Sequence, residues 1–393
     1  MIYLDNAATT FPKPQSVARA AADSIKTMAN PGRSGHALSQ NTAIAVYNTR
    51  EKLAEMFGAP SVENVVFTLN CTHAVNYVLK GLLNKGDRVV TSSFEHNAVM
   101  RPLEKLKKAG VHYDIAEAYP DDREATIRSF ARMINPNTRL VICTAASNVI
   151  GLKMPLEEIG MMCKQYGAIF VVDAAQMAGV CDINMQKMNI DYLCIAAHKG
   201  LYAPMGTGVL ICADNGLDTI IEGGTGTASI MLYQPRELPE MLESGTINVP
   251  GIIGLGAGID FVNSKGTAKI YSHEMELIRH LYKSLRTVPG VNLYTPMPDE
   301  NYVPVLSFNI TGMNSVEAAN TLSRAGFATR AGLHCAPLAH KRIGTIESGT
   351  VRVCPSVFTS RQDIDRLIGT VKTISSKKRD GFCKRLVKRG KQC

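Results

Sequence analysis

Polar residues at two places where buried, apolar runs end have the types that covalent chemistry needs. Asp173 closes the run Ile169-Phe170-Val171-Val172, and Lys199 follows the run from Tyr192 to Ala197. In open α/β sheets ligands bind beyond the carboxyl ends of the strands, so groups at those ends are candidates. A carboxylate there is costly without a partner. It either caps a following helix or faces a cation. A lysine there either snorkels to solvent or, partly desolvated, forms an imine with a carbonyl. An acid that keeps a ring nitrogen protonated, beside an imine-forming lysine, is what a pyridoxal phosphate site needs to make the ring an electron sink. Asp173 with Gln176, then a strand, then His198-Lys199 carries that reading further than any one residue does.

Three further motifs bear on such chemistry. Asn70-Cys71-Thr72-His73 connects a strand to a helix, so its backbone N–H groups can face an anion. Gly223-Gly224-Thr225-Gly226-Thr227 is a weaker signal, since a lone glycine cluster also makes a plain flexible loop. In Arg330-Ala331-Gly332-Leu333-His334-Cys335-Ala336-Pro337, a cysteine beside His and near Arg has the surroundings that favour a nucleophilic thiolate. Gly332 and Pro337 suit an ordered turn there, against the plain reading of a loop cysteine without a role.

The elements that must position these groups alternate along the chain. Strands are predicted at 65–68, 88–91, 140–143 and 168–172, with helices over 72–83 and 155–166. The continuous apolar runs suit parallel strands covered on both faces, which gives βαβ units and an α/β class. Past residue 261 the character changes. Helices are predicted over 270–285, 315–325 and 360–374, and residues 303–310 alternate like a half-exposed strand, so an α+β domain is expected. The expected divisions are 1–14, an N-terminal segment joining the small domain; 15–262, the large domain; 263–376, the small domain; and 377–393, a basic tail.

Composition narrows the class. At 393 residues with 45% hydrophobic and 20% charged residues, the chain reads as globular and not disordered. No apolar run is long enough for a bilayer, so no membrane partner is expected. The N-terminus reaches Asp5 almost at once and does not follow a signal-peptide pattern, so a cytoplasmic location is expected. The ten cysteines include no Cys-x-x-Cys pair, so neither a metal site nor a disulfide framework is predicted, and Cys143 and Cys194 read as structural. The net charge is +9, but residues 377–393 hold eight Lys or Arg and one acid, a net of +7 that leaves +2 elsewhere. The charge is local, so nucleic acid is not expected as a partner.

Together these motifs resemble the class V aminotransferase superfamily, specifically its cysteine desulfurase and selenocysteine lyase branch. The likeness runs from Tyr3-Leu4-Asp5-Asn6-Ala7-Ala8-Thr9-Thr10 to Gly349-Thr350-Val351-Arg352. It implies an α/β fold of the pyridoxal-phosphate transferase type I, with a large domain on a mainly parallel seven-stranded sheet and a smaller α+β C-terminal domain. It also implies roles. Lys199 carries pyridoxal 5′-phosphate, Asp173 meets the ring nitrogen, Gln176 the ring hydroxyl, and His96 stacks on the ring. Cys71, Thr72 and His198 neighbour the phosphate, and Thr246, in Glu243-Ser244-Gly245-Thr246, is donated by the second subunit of a homodimer. Asn148 lies beside substrate and ring. Arg352 clamps the substrate carboxylate, with Ala8, His36 and Arg330 also at the substrate. Cys335 is the persulfide-forming nucleophile, so the catalytic set is Lys199, Cys335 and His96.

The implied reaction converts L-cysteine to L-alanine and leaves a persulfide on Cys335 for a sulfur-acceptor protein or small thiol. L-selenocysteine is the rival substrate. Transamination or epimerisation would make Cys335 dispensable, and a non-catalytic protein of the same fold is the rival outside enzymes. One departure stands out: Ala196, where the family commonly has serine or glycine, lacks a hydroxyl for the phosphate. Cys354, next to Arg352, reads as packing.

Overall fold

The computed structural model describes residues 1–32 and 34–387. They form two compact units: Pro12–Ala146 with Met154–Ala268, and Met1–Phe11 with Ser147–Lys153 and Lys269–Cys393.

The first unit is built on a seven-stranded sheet ordered Val65–Thr68, Gly208–Cys212, Tyr192–Ile195, Ile169–Asp173, Thr138–Thr144, Arg88–Ser92, His112–Ala116. From Tyr192–Ile195 to His112–Ala116 all neighbours are parallel. Gly208–Cys212 is antiparallel to both of its neighbours. This is the mainly parallel seven-stranded sheet expected from the sequence. Residues 140–144, 170–173 and 192–195 are buried without a break, which is why they read as continuous apolar runs. The helix Leu156–Tyr166 makes the crossover between two of these strands. Glu157 and Glu158 in its first turn suit the N-terminal end of its dipole, and Gly167 at φ 68° ends it in the left-handed conformation.

The second unit has a four-stranded antiparallel sheet ordered Arg330–Gly332, Thr350–Val353, Leu306–Ile310, Val291–Leu293. Leu277, Leu281, Phe308, Val351, Ile364 and Leu367 belong to its core. The N-terminal strand Ile2–Tyr3 pairs in parallel with Phe327–Ala328. The chain then runs on beside Cys354, whose N–H donates to Leu4 O at 2.8 Å.

Two sequence readings change here. The stretch read as half-exposed, residues 303–310, is buried throughout. Its polar positions are inside because they are bonded: Ser307 Oγ donates to Val149 O at 2.6 Å, and Asn309 Nδ2 to Gly349 O at 2.8 Å. The last helix is Arg361–Val387, so it runs on into the basic segment, where Lys378 pairs with Glu317 at 2.6 Å. Lys388, Arg389 and Lys391 lie outside the described residues. Among the described residues no helix is long and apolar enough to cross a membrane.

Candidate active site

In the first unit Asp173 is the last residue of a central strand, paired with Thr144 on one side and Cys194 on the other. It is 2% exposed. Its Oδ1 accepts from Ala175 N at 2.9 Å and from the Cys71 thiol at 3.3 Å. No helix follows it directly, so the helix-cap alternative does not apply. Cys71 opens the helix Cys71–Leu82, whose N-cap Asn70 accepts from His73 N. Burial, reinforced by the neighbouring Asp173 charge, pushes the Cys71 thiol well above its ordinary pKa, so it stays a donor. The side chain of Cys71 is thus spent on Asp173, and the residue's backbone N–H is what it can offer an anion. The turn at Asn70 lies against Gly208, where a Cβ would come within 2.5 Å of Asn70 C.

Lys199 follows Tyr192–Ile195 in a tight turn. Its N–H donates to Ala196 O, and its carbonyl accepts from Tyr202 N. Gly200 lets that turn touch the segment after Asp173, since a Cβ there would sit 2.2 Å from Ala178 O. Gln176 is therefore on a segment in backbone contact with the lysine turn. His198 O accepts from Lys13 Nζ at 2.6 Å. Burial, with Lys199 and Lys13 nearby, lowers the His198 pKa to about 4, and burial lowers that of Lys13 to about 8. Neutral His198 can still donate one N–H.

His96 N-caps the helix Asn97–Lys108, its Nδ1 accepting from Ala98 N at 3.0 Å. That bond fixes the neutral tautomer with the proton on Nε2. His36 likewise caps Ala37–Phe57 and is exposed. Thr72 and Thr246 are exposed as well. The base of the Thr246 segment is anchored, because Glu243 takes a bidentate pair from buried Arg50 and a bond from Phe67 N at 2.6 Å.

The second unit holds the other expected residues. Arg352 lies in Thr350–Val353, with Ser307 and Arg330 opposite it on the flanking strands. It is 1% exposed. Nη1 donates to Asn148 O at 2.8 Å, and Nη2 pairs with Asp5 Oδ1 at 2.8 Å. Ala8 N donates to Asp5 O at 3.0 Å. Asn148 Nδ2 donates to His334 O at 2.7 Å. His334 and Cys335 have φ of 48° and 58°, and Ala336 N closes back on Leu333 O at 2.8 Å. Positive φ at both central positions is the pattern of a type I′ turn, uncommon without Gly or Asn and so strained. Cys335 is exposed at its tip.

The Aminotransferase class-V family model matches residues 2–367. A probable cysteine desulfurase from Methanothermobacter thermautotrophicus is 33% identical over 386 residues, 95% of this chain and 94% of its own. A cysteine desulfurase from Pectobacterium carotovorum is 30% identical over 386 residues, 95% of this chain and 93% of its own. Among solved structures, the apo cysteine desulfurase of Thermococcus onnurineus superposes with a TM-score of 0.89 at 31% identity, covering 96% of this chain and 95% of that one. One from Escherichia coli gives 0.85 at 26%, covering 94% of each. The chain is a class-V aminotransferase family member.

The cofactor of this family is pyridoxal 5′-phosphate, and the chemistry of the first unit's donor set fits it. Asp173 is a buried carboxylate whose hydrogen bonds fall on one oxygen, and among the described residues no Lys or Arg forms an ion pair with it. A cationic ring nitrogen is the missing complement. The N–H groups of Cys71 and Thr72, at a helix start, have no acceptor among the described residues and suit a phosphate.

The neighbourhood of Cys335 differs from the sequence reading. His334 is buried, its Nε2 within 3.1 Å of Thr350 O and Oγ1. Burial and the nearby Arg352 charge hold it far below its ordinary pKa, so it supplies no positive charge. The cation beside the thiol is Arg330, with Nη2 3.9 Å from Cys335 Sγ. Cys354 is buried and its thiol is pushed up by burial, as a packing residue requires. Three groups were given no role from sequence: Asp5, Lys13 and Glu95. Asp5 stands inside the quoted N-terminal motif, beside Asn6, and Glu95 directly precedes His96. Lys13 carried no local signal.

Proposed function

We propose that this protein is a pyridoxal-phosphate-dependent cysteine desulfurase. The observation that carries the reading is Cys335, an exposed thiol at the tip of a strained turn that buried Asn148 ties down, with Arg330 as its cation. A packing cysteine needs neither exposure nor two left-handed residues.

Pyridoxal phosphate, when bound, supplies the electron sink that lets an amino acid lose its α-proton. Lys199 holds the cofactor and moves that proton at the substrate α-carbon. Asp173 keeps the proton on the ring nitrogen, and Gln176 meets the ring hydroxyl. His96 would cover the ring. The N–H groups of Cys71 and Thr72, with His198, take the phosphate. Arg352 takes the substrate carboxylate beside Asn148, and Ala8 and His36 border the substrate. The Cys335 thiolate, with Arg330 Nη2 3.9 Å from its sulfur, attacks the substrate sulfur. The C–S bond breaks with its electron pair left on carbon, an S–S bond forms, and protonation at the β- and α-carbons releases L-alanine, with the sulfur left on Cys335 as a persulfide. A protein or small-thiol acceptor removes it. The same groups serve L-selenocysteine, and relative turnover ranks the two substrates.

A homodimer completes the reading, with Thr246 given to the partner's phosphate. Ile230, Leu232 and Tyr233 support it: they are 93%, 103% and 70% exposed on the preceding stretch, an apolar surface that a second copy would cover. The scattered free thiols are in keeping with the cytoplasm.

The test is incubation of purified protein with L-cysteine and a reductant, measuring alanine and sulfide together. Equal yields are expected. Alanine without sulfide, or neither, overturns the assignment.

A further inference from the structure

Arg352 is a fully buried cation that already has an anion, Asp5, at 2.8 Å. The backbone holds that anion in place. Asp5 forms a parallel bridge with Cys354, and Asn6 donates to Cys354 O through both its N–H, at 3.3 Å, and its side chain, at 2.9 Å. The guanidinium is not saturated, because Nε is buried and has no hydrogen-bond partner among the described residues. We propose that Asp5 is the resident counter-ion of the carboxylate anchor: it neutralises Arg352 while no substrate is bound and thereby sets a deliberately modest grip on the substrate and product carboxylate. The proposal rests on the reading of Arg352 as that anchor.

The physical argument concerns two states. Without an anion, a buried guanidinium is an uncompensated charge, among the more destabilising things a core can hold. Asp5 removes that cost when the site is empty. When a carboxylate binds, one cation faces two anions, and the incoming one feels both a half-neutralised guanidinium and direct repulsion from Asp5. Deleting the Asp5 charge reverses both effects. The empty protein loses stability, and a bound carboxylate becomes its missing counter-ion and is held more tightly. A residue that merely oriented Arg352 would do the opposite, and its loss would weaken carboxylate binding.

The experiment uses the cofactor-loaded protein and Asp5→Asn, which keeps an oxygen toward Nη2 but no charge. Three quantities are read: the dissociation constant of L-alanine from a spectral titration, the melting temperature with and without L-alanine, and kcat and KM for L-cysteine. L-alanine should bind Asp5→Asn about tenfold more tightly, within the usual range of coupled binding effects. The free variant should melt below wild type yet gain more from L-alanine. KM should fall while kcat does not rise. Asp5→Glu, with its charge restored, should return toward wild type, and Asp5→Ser gives the same contrast should Asp5→Asn fail to fold. Unchanged or weaker L-alanine binding in the neutral variants, while wild type responds, overturns the counter-ion proposal alone. A wild-type protein that ignores L-alanine and L-cysteine removes the anchor reading and this proposal with it.

Discussion

The side-chain amide of Asn148 donates to the main-chain carbonyl of His334 at 2.7 Å, one residue before Cys335. The carbonyl of the same Asn148 accepts from Arg352. One buried residue therefore holds both the turn that bears the thiol and the guanidinium. Asn148→Ala would remove the amide donor to the His334 carbonyl while keeping the main-chain carbonyl that Arg352 uses. Loss of one buried hydrogen bond costs about 1–3 kcal/mol when a partner is left unsatisfied. The expected outcome is a lower melting temperature together with altered alkylation of Cys335 by iodoacetamide. An unchanged melting temperature and alkylation rate would show that the strained turn holds itself.

Lys199 offers a prediction independent of sulfur chemistry. The purified, loaded protein should be yellow, and borohydride should bleach the band and fix the cofactor on the peptide containing Lys199. Lys199→Ala should bind the cofactor without a fixable bond. A colourless wild type that gains no visible band when given pyridoxal phosphate would remove the cofactor assignment.

Much of this was legible before the fold. The strands at 65–68, 88–92 and 169–173 announce themselves because both of their faces are covered, so no polar alternation blurs the run. Asp173 and Lys199 were legible because they interrupt such runs at the carboxyl ends. The stretch 303–310 misled for the converse reason: Ser307 and Asn309 are polar yet buried, and their acceptors, Val149 O and Gly349 O, lie far away in sequence. Asp5 was opaque in the same way, since its pairing with Arg352 joins positions 347 apart. His334 was misjudged because adjacency to Cys335 says nothing about burial, which is what keeps its ring neutral.

Stability should depend on pH through Glu95, a fully buried residue beside His96. Burial raises its carboxyl pKa to about 8, against the opposing bonds from Ser92 and Thr144 N, and its Oε2 has no partner among the described residues. The folded pKa lies above the unfolded one, so between roughly pH 4.3 and the folded value the unfolded chain binds fewer protons at this site. Stability then falls as pH rises through that window, by up to about 1.4 kcal/mol per pH unit, and levels off above it. Glu274, buried and also raised to about 8 by burial, acts with the same sign. Glu95→Gln should therefore flatten part of the melting-temperature decline between pH 5 and 8 and melt higher than wild type at pH 8. Parallel curves for the two proteins would count against a protonated Glu95.

The nucleophile gives the most decisive comparison, because Cys335 and Cys354 differ so sharply. Cys335 is exposed beside Arg330, whereas Cys354 is buried with its thiol directed to Pro355 O at 3.6 Å. Cys335→Ala should keep the cofactor and still bind L-cysteine, as a spectral change on mixing, yet form almost no alanine. In the proposed reaction Lys199 and the cofactor would act at the α-carbon, whereas taking the sulfur would need a positioned thiolate. The loss should exceed about a hundredfold, the lower end of what removing a group engaged in the bond changes costs. With L-selenocysteine the loss should be smaller, since selenium leaves more readily without a nucleophile. Cys354→Ala should lower the melting temperature more than the turnover, because it opens space in a packed region. If Cys354→Ala abolishes alanine formation and Cys335→Ala does not, the nucleophile is Cys354. If neither change matters with L-cysteine, sulfur transfer is not the reaction, and a transaminase or epimerase takes its place.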